Sequence, residues 1–280
     1  MRNTARITAS VLAAGALTLG LAACGSKDSD SASGSQADQD KALVVAASPT
    51  PHAEILDYVR DHLAKKAGLD LRVKEFTDYV TPNTATQDGS VDANYFQHKP
   101  YLDDYNKKNG THLVPVGTVH LEPLGLYSHK VKSVGDLKKG ATVAVPNDAT
   151  NEARALKLLE ANGVIRLKSG AGEDATPSDI AKNPKDLKFK ELEAPQVPRS
   201  LDDVDAAVIN GNYAVQAKLS PAKDSLVQEK AKGNPYGNLL VVKDGEQNDP
   251  RVKKLAKLLH SPEVRKFIED RYDGSVLPAF

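Results

Sequence analysis

Residues 41–280 alternate short apolar runs of strand length with longer segments that place their apolar side chains on one helical face. The first run is "ALVVAAS" (42–48), and the helical segment that follows it, "AEILDYVRDHLAKKAG", ends at Gly68. Strands that alternate with helices are typical of mainly parallel sheets with helices on both faces. The pattern therefore predicts an α/β fold.

The pattern continues to the end of the chain. It predicts further strands at 69–76, 113–120, 141–147, 187–194, 205–210 and 236–245. It predicts further helices at 81–89, 99–110, 133–140, 150–163, 248–260 and 261–272. A body of about 240 residues is more typical of two lobes than of a single domain, and two lobes would have a ligand cleft between them. We expect the first lobe at 41–128 with 238–280 and the second at 129–237.

The N-terminus has the pattern of an exported lipoprotein. Two arginines precede an apolar run of 15 residues, and the run ends in "LAAC" at Cys24. The run is shorter than the roughly 20 residues that span a bilayer. We predict a signal peptide at 1–23, a lipidated Cys24 and a flexible Ser- and Asp-rich tether to residue 40. The alternative is a non-lipidated signal with a chance cysteine.

Composition and motifs argue against several classes of protein. The chain has 37 basic and 37 acidic residues, so it lacks the basic surface that nucleic acid requires. Its seven histidines show no spacing such as HExxH, and no GxSxG or GxxxxGK motif is present. The sequence therefore predicts neither an enzyme nor a metal site, and no cofactor.

Three predicted strand ends carry unusual polar or aromatic residues. They are "DANYFQHKPY" (92–101), "VAVPNDATNEAR" (143–154) and "AAVINGNYA" (206–214). Ligands in open α/β sheets bind where strands end and helices begin. Each stretch also has a simpler explanation, because asparagine and aspartate often cap helices and rings often close a core.

Arg154 falls near the start of a predicted helix, where a positive charge is unfavourable. A bound carboxylate would explain it, because helix N–H groups and a guanidinium both bind anions. Asparagine carbonyls accept from an ammonium, and rings provide an apolar wall. Together these features favour a zwitterionic ligand with an apolar side chain.

The chain resembles the methionine-binding lipoproteins of ABC importers, the NlpA family, over essentially all of residues 42–280. The resemblance is carried by "FTDYVTPN" (76–83), "FQHKPYL" (96–102), "VPNDATN" (145–151) and "ELEAPQVPRSLDDVDAAVIN" (191–210). It implies a periplasmic-binding-protein fold with the ligand held between two lobes.

The resemblance also implies roles for particular residues. It places the ligand side chain against Tyr79, Phe96, His98 and Tyr101. It places the polar end of the ligand against Asn151, Arg154 and Asn210, with Arg154 on the carboxylate. Tyr95 and Tyr105 are expected to be packing residues, and a contact from His52 is doubtful.

The implied partners are L-methionine and an ABC importer permease with its ATPase. We expect a monomer that is held by its lipid anchor at the extracytoplasmic face of the cell membrane. D-methionine, a methionine dipeptide or another apolar amino acid are alternative ligands, and a surface adhesin on the same fold is an alternative function. Lobe closure is expected to hinge at 127–131 and 236–242.

Cys24→Ala should move the protein from the membrane fraction to a soluble fraction or the medium. Two acyl chains anchor a protein stably, whereas a single chain binds a membrane only marginally. Fractionation followed by a salt wash measures this. A variant that stays membrane-bound after the wash contradicts the lipoprotein prediction.

Overall fold

The structure is a computed structural model that describes residues 41–280. The predicted signal peptide, Cys24 and the tether lie outside the described residues. The strands are β1 Leu43–Ala47, β2 Leu71–Glu75, β3 Ala93–His98, β4 Leu113–Leu121, β5 Gly125–Tyr127, β6 Thr142–Pro146, β7 Arg166–Leu167, β8 Ile180–Lys182, β9 Lys188–Leu192, β10 Ala206–Ile209, β11 Val227–Gln228, β12 Asn238–Lys243 and β13 Leu277–Pro278.

The helices agree well with the apolar periodicity of the sequence. They are α1 Glu54–Val59, α2 Thr81–Gln87, α3 Lys99–Asn109, α4 Ala149–Ala161, α5 Gly211–Gln216, α6 Pro221–Asp224, α7 Pro250–Leu259 and α8 Pro262–Tyr272. After α1 the chain continues through a π-helical turn and a short 3₁₀ turn to Gly68, which has a φ of 63°. Glycine adopts this left-handed conformation without strain, which explains why the helical segment ends there.

The predicted helix at 133–140 is wrong. The structure has only a 3₁₀ turn there, at Val134–Asp136. The Ser133 hydroxyl donates to the Asp136 carboxylate at 2.8 Å, and it does not cap a backbone N–H group. Ser133 and Asp136 have the spacing of a capping box, which predicts a helix start, but a capping box forms only when both side chains bond to the backbone.

The first lobe is built on a six-stranded sheet with the order β13-β4-β12-β3-β1-β2. Strand β1 runs parallel to β2 and β3, whereas β12 runs antiparallel to both β3 and β4. The second lobe has a five-stranded sheet with the order β11-β5-β10-β6-β9, in which β6 is parallel to its neighbours and β5 antiparallel. The predicted two-lobed α/β fold is confirmed, but both sheets are mixed and not mainly parallel. A fully buried strand reads as an apolar run in either direction, so the pattern did not reveal the orientation.

Each sheet has its own hydrophobic core. The core of the first lobe joins β1, α1 and β12 to the C-terminal helices α7 and α8. The core of the second lobe joins β6, α4 and β10. The lobes meet at the strand ends around the cavity and through Tyr79, which packs against a second cluster of buried residues in the second lobe.

The chain crosses between the two sheets at residues 122–124 and again at 229–237. The first crossing precedes the expected boundary at 129 and the expected hinge at 127–131, because β5 already pairs with β10 and β11. A three-residue strand carries no clear periodicity, which explains why the sequence did not show it. Within residues 41–280, no helix is both long and apolar enough to cross a membrane.

Candidate functional site

A cavity lies between the lobes, where the ends of their strands face each other. All seven predicted site residues line it: Tyr79, Phe96, His98, Tyr101, Asn151, Arg154 and Asn210. The first four belong to the first lobe, and the other three belong to the second. The fold thus brings together residues that are up to 131 positions apart in sequence (210 − 79).

Three aromatic rings form one wall of the cavity. The ring centroid of Tyr79 lies 5.8 Å from those of Phe96 and Tyr101, which are 6.0 Å from each other. The Tyr101 hydroxyl donates to the backbone carbonyl of Tyr79 at 3.0 Å, which fixes the two rings relative to one another. Tyr95 and Tyr105 instead pack in hydrophobic cores of the first lobe, as predicted.

A chain of hydrogen bonds connects the lobes across the cavity. His98 Nδ1 accepts from the backbone N–H of Tyr101 at 3.2 Å, so its Nε2–H donates to Asn151 Oδ1 at 3.1 Å. Asn151 Oδ1 also accepts from Asn210 Nδ2 at 3.0 Å. The side-chain oxygen of Asn210, Oδ1, is left buried, with no hydrogen-bond partner in the described part of the chain. Burial lowers the pKa of His98 to about 3, so the ring is neutral at pH 7.

Arg154 is buried and already has an anionic partner. Its Nε and Nη2 donate to the two carboxylate oxygens of Glu229 at 2.7 and 2.6 Å, and Nη2 also donates to the backbone carbonyl of Glu122 at 3.0 Å. Glu229 therefore balances the charge of Arg154 within the protein, so the position of Arg154 near the helix start does not by itself require a bound anion. Among the described residues no acceptor bonds to Nη1, which remains a donor for a ligand.

The contact with Arg154 lowers the pKa of the Glu229 carboxylate. Burial alone would raise its pKa, but the charge and hydrogen bonds of Arg154 lower it overall. The guanidinium carbon of Arg154 also lies 4.2 Å from the ring centroid of Tyr236. Because Glu229 and Tyr236 both belong to the second crossing segment, Arg154 binds its helix to that segment.

Five further residues line the cavity: Gln97, Glu122, Gly211, Asn212 and Asn238. Gln97, Gly211 and Asn212 lie in strand-end stretches that the sequence singled out, but they were given no role. The rule of polar residues at strand ends could also have found Glu122, which directly follows β4. Asn238 begins β12 and carried no comparable signal. Asn212 also accepts from the Tyr79 hydroxyl at 2.5 Å, which adds a second bond between the lobes.

Three side chains of metal-ligating type cluster beside the cavity within residues 41–280. The ligand atoms of His52, His120 and Glu122 lie within 4.8 Å of one another. However, His120 Nε2 and Glu122 Oε1 are 2.7 Å apart, which is a direct hydrogen bond. Ligands of a tetrahedral zinc ion at 2.0–2.1 Å would sit about 3.3 Å apart. The cluster is therefore a hydrogen-bond network.

Comparison with known proteins agrees with this geometry. A family model described as NlpA lipoprotein matches residues 43–280. The chain belongs to the NlpA lipoprotein family. The family resemblance found in the sequence is thereby confirmed, and the match includes all seven predicted site residues.

Relatives in the NlpA family are similar over nearly their whole length. The methionine-binding lipoprotein MetQ of Bacillus subtilis is 45% identical over 262 residues, which is 92% of this chain and 93% of that protein. The D-methionine-binding lipoprotein MetQ of Salmonella typhimurium is 44% identical over 269 residues, covering 95% and 96%. A solved nutrient binding protein from Burkholderia cenocepacia bound to methionine is 48% identical with a TM-score of 0.83, covering 85% of this chain and 100% of that one.

Glu229→Gln should lower the free energy of unfolding by about 3–5 kcal/mol, because it leaves the Arg154 charge buried without its partner. Since the ion pair lowers the pKa of Glu229 below 4.5, its stabilisation should be present above about pH 4.5 and be lost as the pH falls further. Urea unfolding without added ligand measures both effects.

Asp270→Asn is the matched control, because it breaks the exposed Lys266–Asp270 pair. Exposed pairs contribute about 0–1 kcal/mol, so this variant should unfold nearly as the wild type does. Equal losses in the two variants would contradict a structural role for the buried pair.

Proposed function

We propose that this protein binds L-methionine in the cavity between its lobes and delivers it to the permease and ATPase of an ABC importer. We further propose that a lipid on Cys24 holds it at the extracytoplasmic face of the membrane. The observation that carries the proposal is a cavity between the lobes with an aromatic wall, a guanidinium with a free donor, and an unpaired acceptor, Asn210 Oδ1. The names of its relatives in the NlpA family support methionine as the ligand without selecting the L form over the D form.

The aromatic wall suits the side chain of methionine. Sulfur–aromatic contacts contribute about 0.3–1.5 kcal/mol each, in addition to the burial of apolar area. Three rings around one cavity offer several such contacts. A contribution of this size favours methionine over other apolar amino acids without excluding them.

The polar groups suit a free amino acid. Arg154 Nη1 is a donor for the ligand carboxylate. Asn238 Oδ1 bonds to His52, which leaves the two amide N–H donors of Asn238 for the ligand.

Release of the ligand requires the lobes to separate. We infer that the first lobe consists of residues 41–121 with 238–280 and that the second consists of 125–228. The crossing segments at 122–124 and 229–237 are then the hinges. Separation breaks the direct bonds between the lobes, among them His98–Asn151, Tyr79–Asn212, Tyr213–Thr77 and Lys223–Asp273.

Calorimetry of L-methionine binding to the wild type, Arg154→Gln and Glu229→Gln tests the proposal. The wild type should bind L-methionine, and Arg154→Gln should lose about two to four decades of affinity because the ligand carboxylate loses its partner. Glu229→Gln disrupts the same ion pair but keeps the guanidinium, so it should lose less affinity than Arg154→Gln.

Methioninol lacks the carboxylate, so it should bind the wild type weakly and be nearly unaffected by Arg154→Gln. D-methionine and a methionine dipeptide, measured in the same way, separate the alternative ligands. If the wild type does not bind L-methionine, the proposed ligand is wrong. If Arg154→Gln binds it within threefold of the wild type, the carboxylate is bound elsewhere.

Phe96→Ala should lower methionine affinity by about 1–3 kcal/mol through lost apolar area and sulfur contacts. It should change the melting temperature only slightly, because Phe96 lines the cavity. The matched control is Phe189→Ala, which packs against the core of the second lobe and should lower the melting temperature without affecting binding. The reverse result would show that Phe96 is a core residue.

A further inference from the structure

Glu122 is a buried carboxylate in the cavity wall whose hydrogen-bond donors are all neutral. Its Oε1 accepts from His120 Nε2 at 2.7 Å and lies 3.3 Å from His52 Nε2. The backbone N–H of Asn212 also donates to its carboxylate. Arg154 is the nearest full positive charge, but its side chain donates to Glu229 and to the backbone of Glu122, not to the Glu122 carboxylate.

The hydrogen-bond partners assign the protons of this network. Burial raises the pKa of Tyr95 well above its usual value and lowers the pKa of His120 to about 3, so both side chains are neutral at pH 7. The Tyr95 hydroxyl contacts His120 Nδ1, while His120 Nε2 faces the Glu122 carboxylate. A carboxylate only accepts, so the tyrosine donates to Nδ1 and Nε2–H donates to Glu122.

His52 holds a second residue of the same cavity wall. Its Nε2–H donates to Asn238 Oδ1 at 3.0 Å, next to the Glu122 carboxylate. Burial lowers the pKa of His52 to about 4, so it too is a neutral donor. Both histidines are almost completely buried, at 1% and 0% exposure, and neither is among the residues that line the cavity. They act on the cavity only through Glu122 and Asn238.

The cavity therefore contains two acceptors that lack a cationic partner. One is the Glu122 carboxylate, whose pKa is raised by burial because neutral donors compensate its charge only in part. The other is the buried carbonyl oxygen of Asn210, which has no partner among residues 41–280. A positively charged group with several N–H donors would satisfy both of them.

We propose that His120, with Tyr95 behind it, is a positioning residue that holds the Glu122 carboxylate as the acceptor for the α-ammonium of the ligand, while His52 positions Asn238 beside it. The inference rests on the proposed function and deepens it. It restricts the ligands to compounds with a free α-amino group, so N-acylated amino acids and des-amino analogues bind poorly.

Glu122→Gln tests the acceptor with two probes, L-methionine and 4-(methylthio)butanoic acid, which is methionine without its amino group. The variant should lose about 30-fold or more in affinity for L-methionine, the scale of a hydrogen bond to a charged group. Its affinity for the des-amino probe should stay within threefold of the wild type. The preference for the amino group, which is the ratio of the two affinities, should therefore collapse.

His120→Phe and His120→Gln test the positioning role. The phenylalanine removes the donor at similar volume and should reduce the preference for the amino group about tenfold or more. The glutamine keeps an N–H near the position of Nε2 and should restore part of it. The matched control is His260→Phe, since His260 donates to the carbonyl of Thr118, also in β4 but away from the cavity, and the preference should not change.

These measurements test the ligand, the ammonium acceptor and the positioning role separately. A wild type that does not bind L-methionine overturns the proposed ligand, whatever Glu122 does. If the wild type binds but Glu122→Gln loses affinity equally for both probes, or for neither, the ammonium acceptor is wrong. If His120→Phe keeps the preference that Glu122→Gln loses, the positioning role is wrong. Melting temperatures of all variants show which of them fold.

Discussion

The buried ion pair of Arg154 and Glu229 is the contact on which the geometry of the cavity depends. Arg154 belongs to α4 of the second lobe, but its partners lie in both segments that cross between the lobes: Glu229 and Tyr236 in one, and the Glu122 carbonyl in the other. Breaking such a pair leaves a charge in a medium of low dielectric constant. One guanidinium therefore fixes the start of α4 relative to both crossing segments, and it also fixes the position of the free donor Nη1.

The remaining polar groups of the cavity are arranged so that each has only one orientation. The donor to His98 Nδ1 fixes its tautomer, which in turn fixes the amide of Asn151 and then that of Asn210. On the other side, His52 fixes the amide of Asn238. Such preorganisation lowers the free energy cost of binding, because few side chains have to be ordered when the ligand arrives. The groups left without partners are those that match a zwitterion.

Much of this arrangement could be predicted from the sequence, because helices, helix ends and strand-end residues follow from local sequence patterns. Apolar periodicity gave the helices, and Gly68 marked the end of the first helical segment. The strand-end rule and the family motifs together brought Phe96 and Arg154 to one cavity. The predictions failed where a residue's partner is distant or where an element is too short to show a period, as for β5 and for the 3₁₀ turn at Val134–Asp136.

The sequence by itself determined the α/β elements and the residue types that meet at the strand ends, since these follow from periodicity and capping within a few residues. Only the tertiary structure decided which partner each polar side chain has. Arg154 and Glu229 are 75 positions apart, and His52 and Asn238 are 186 apart. Such pairs form because β12 returns from the second lobe and inserts between β3 and β4, which places distant residues side by side. No local pattern encodes that insertion, since a buried strand has the same apolar sequence whichever neighbours it joins.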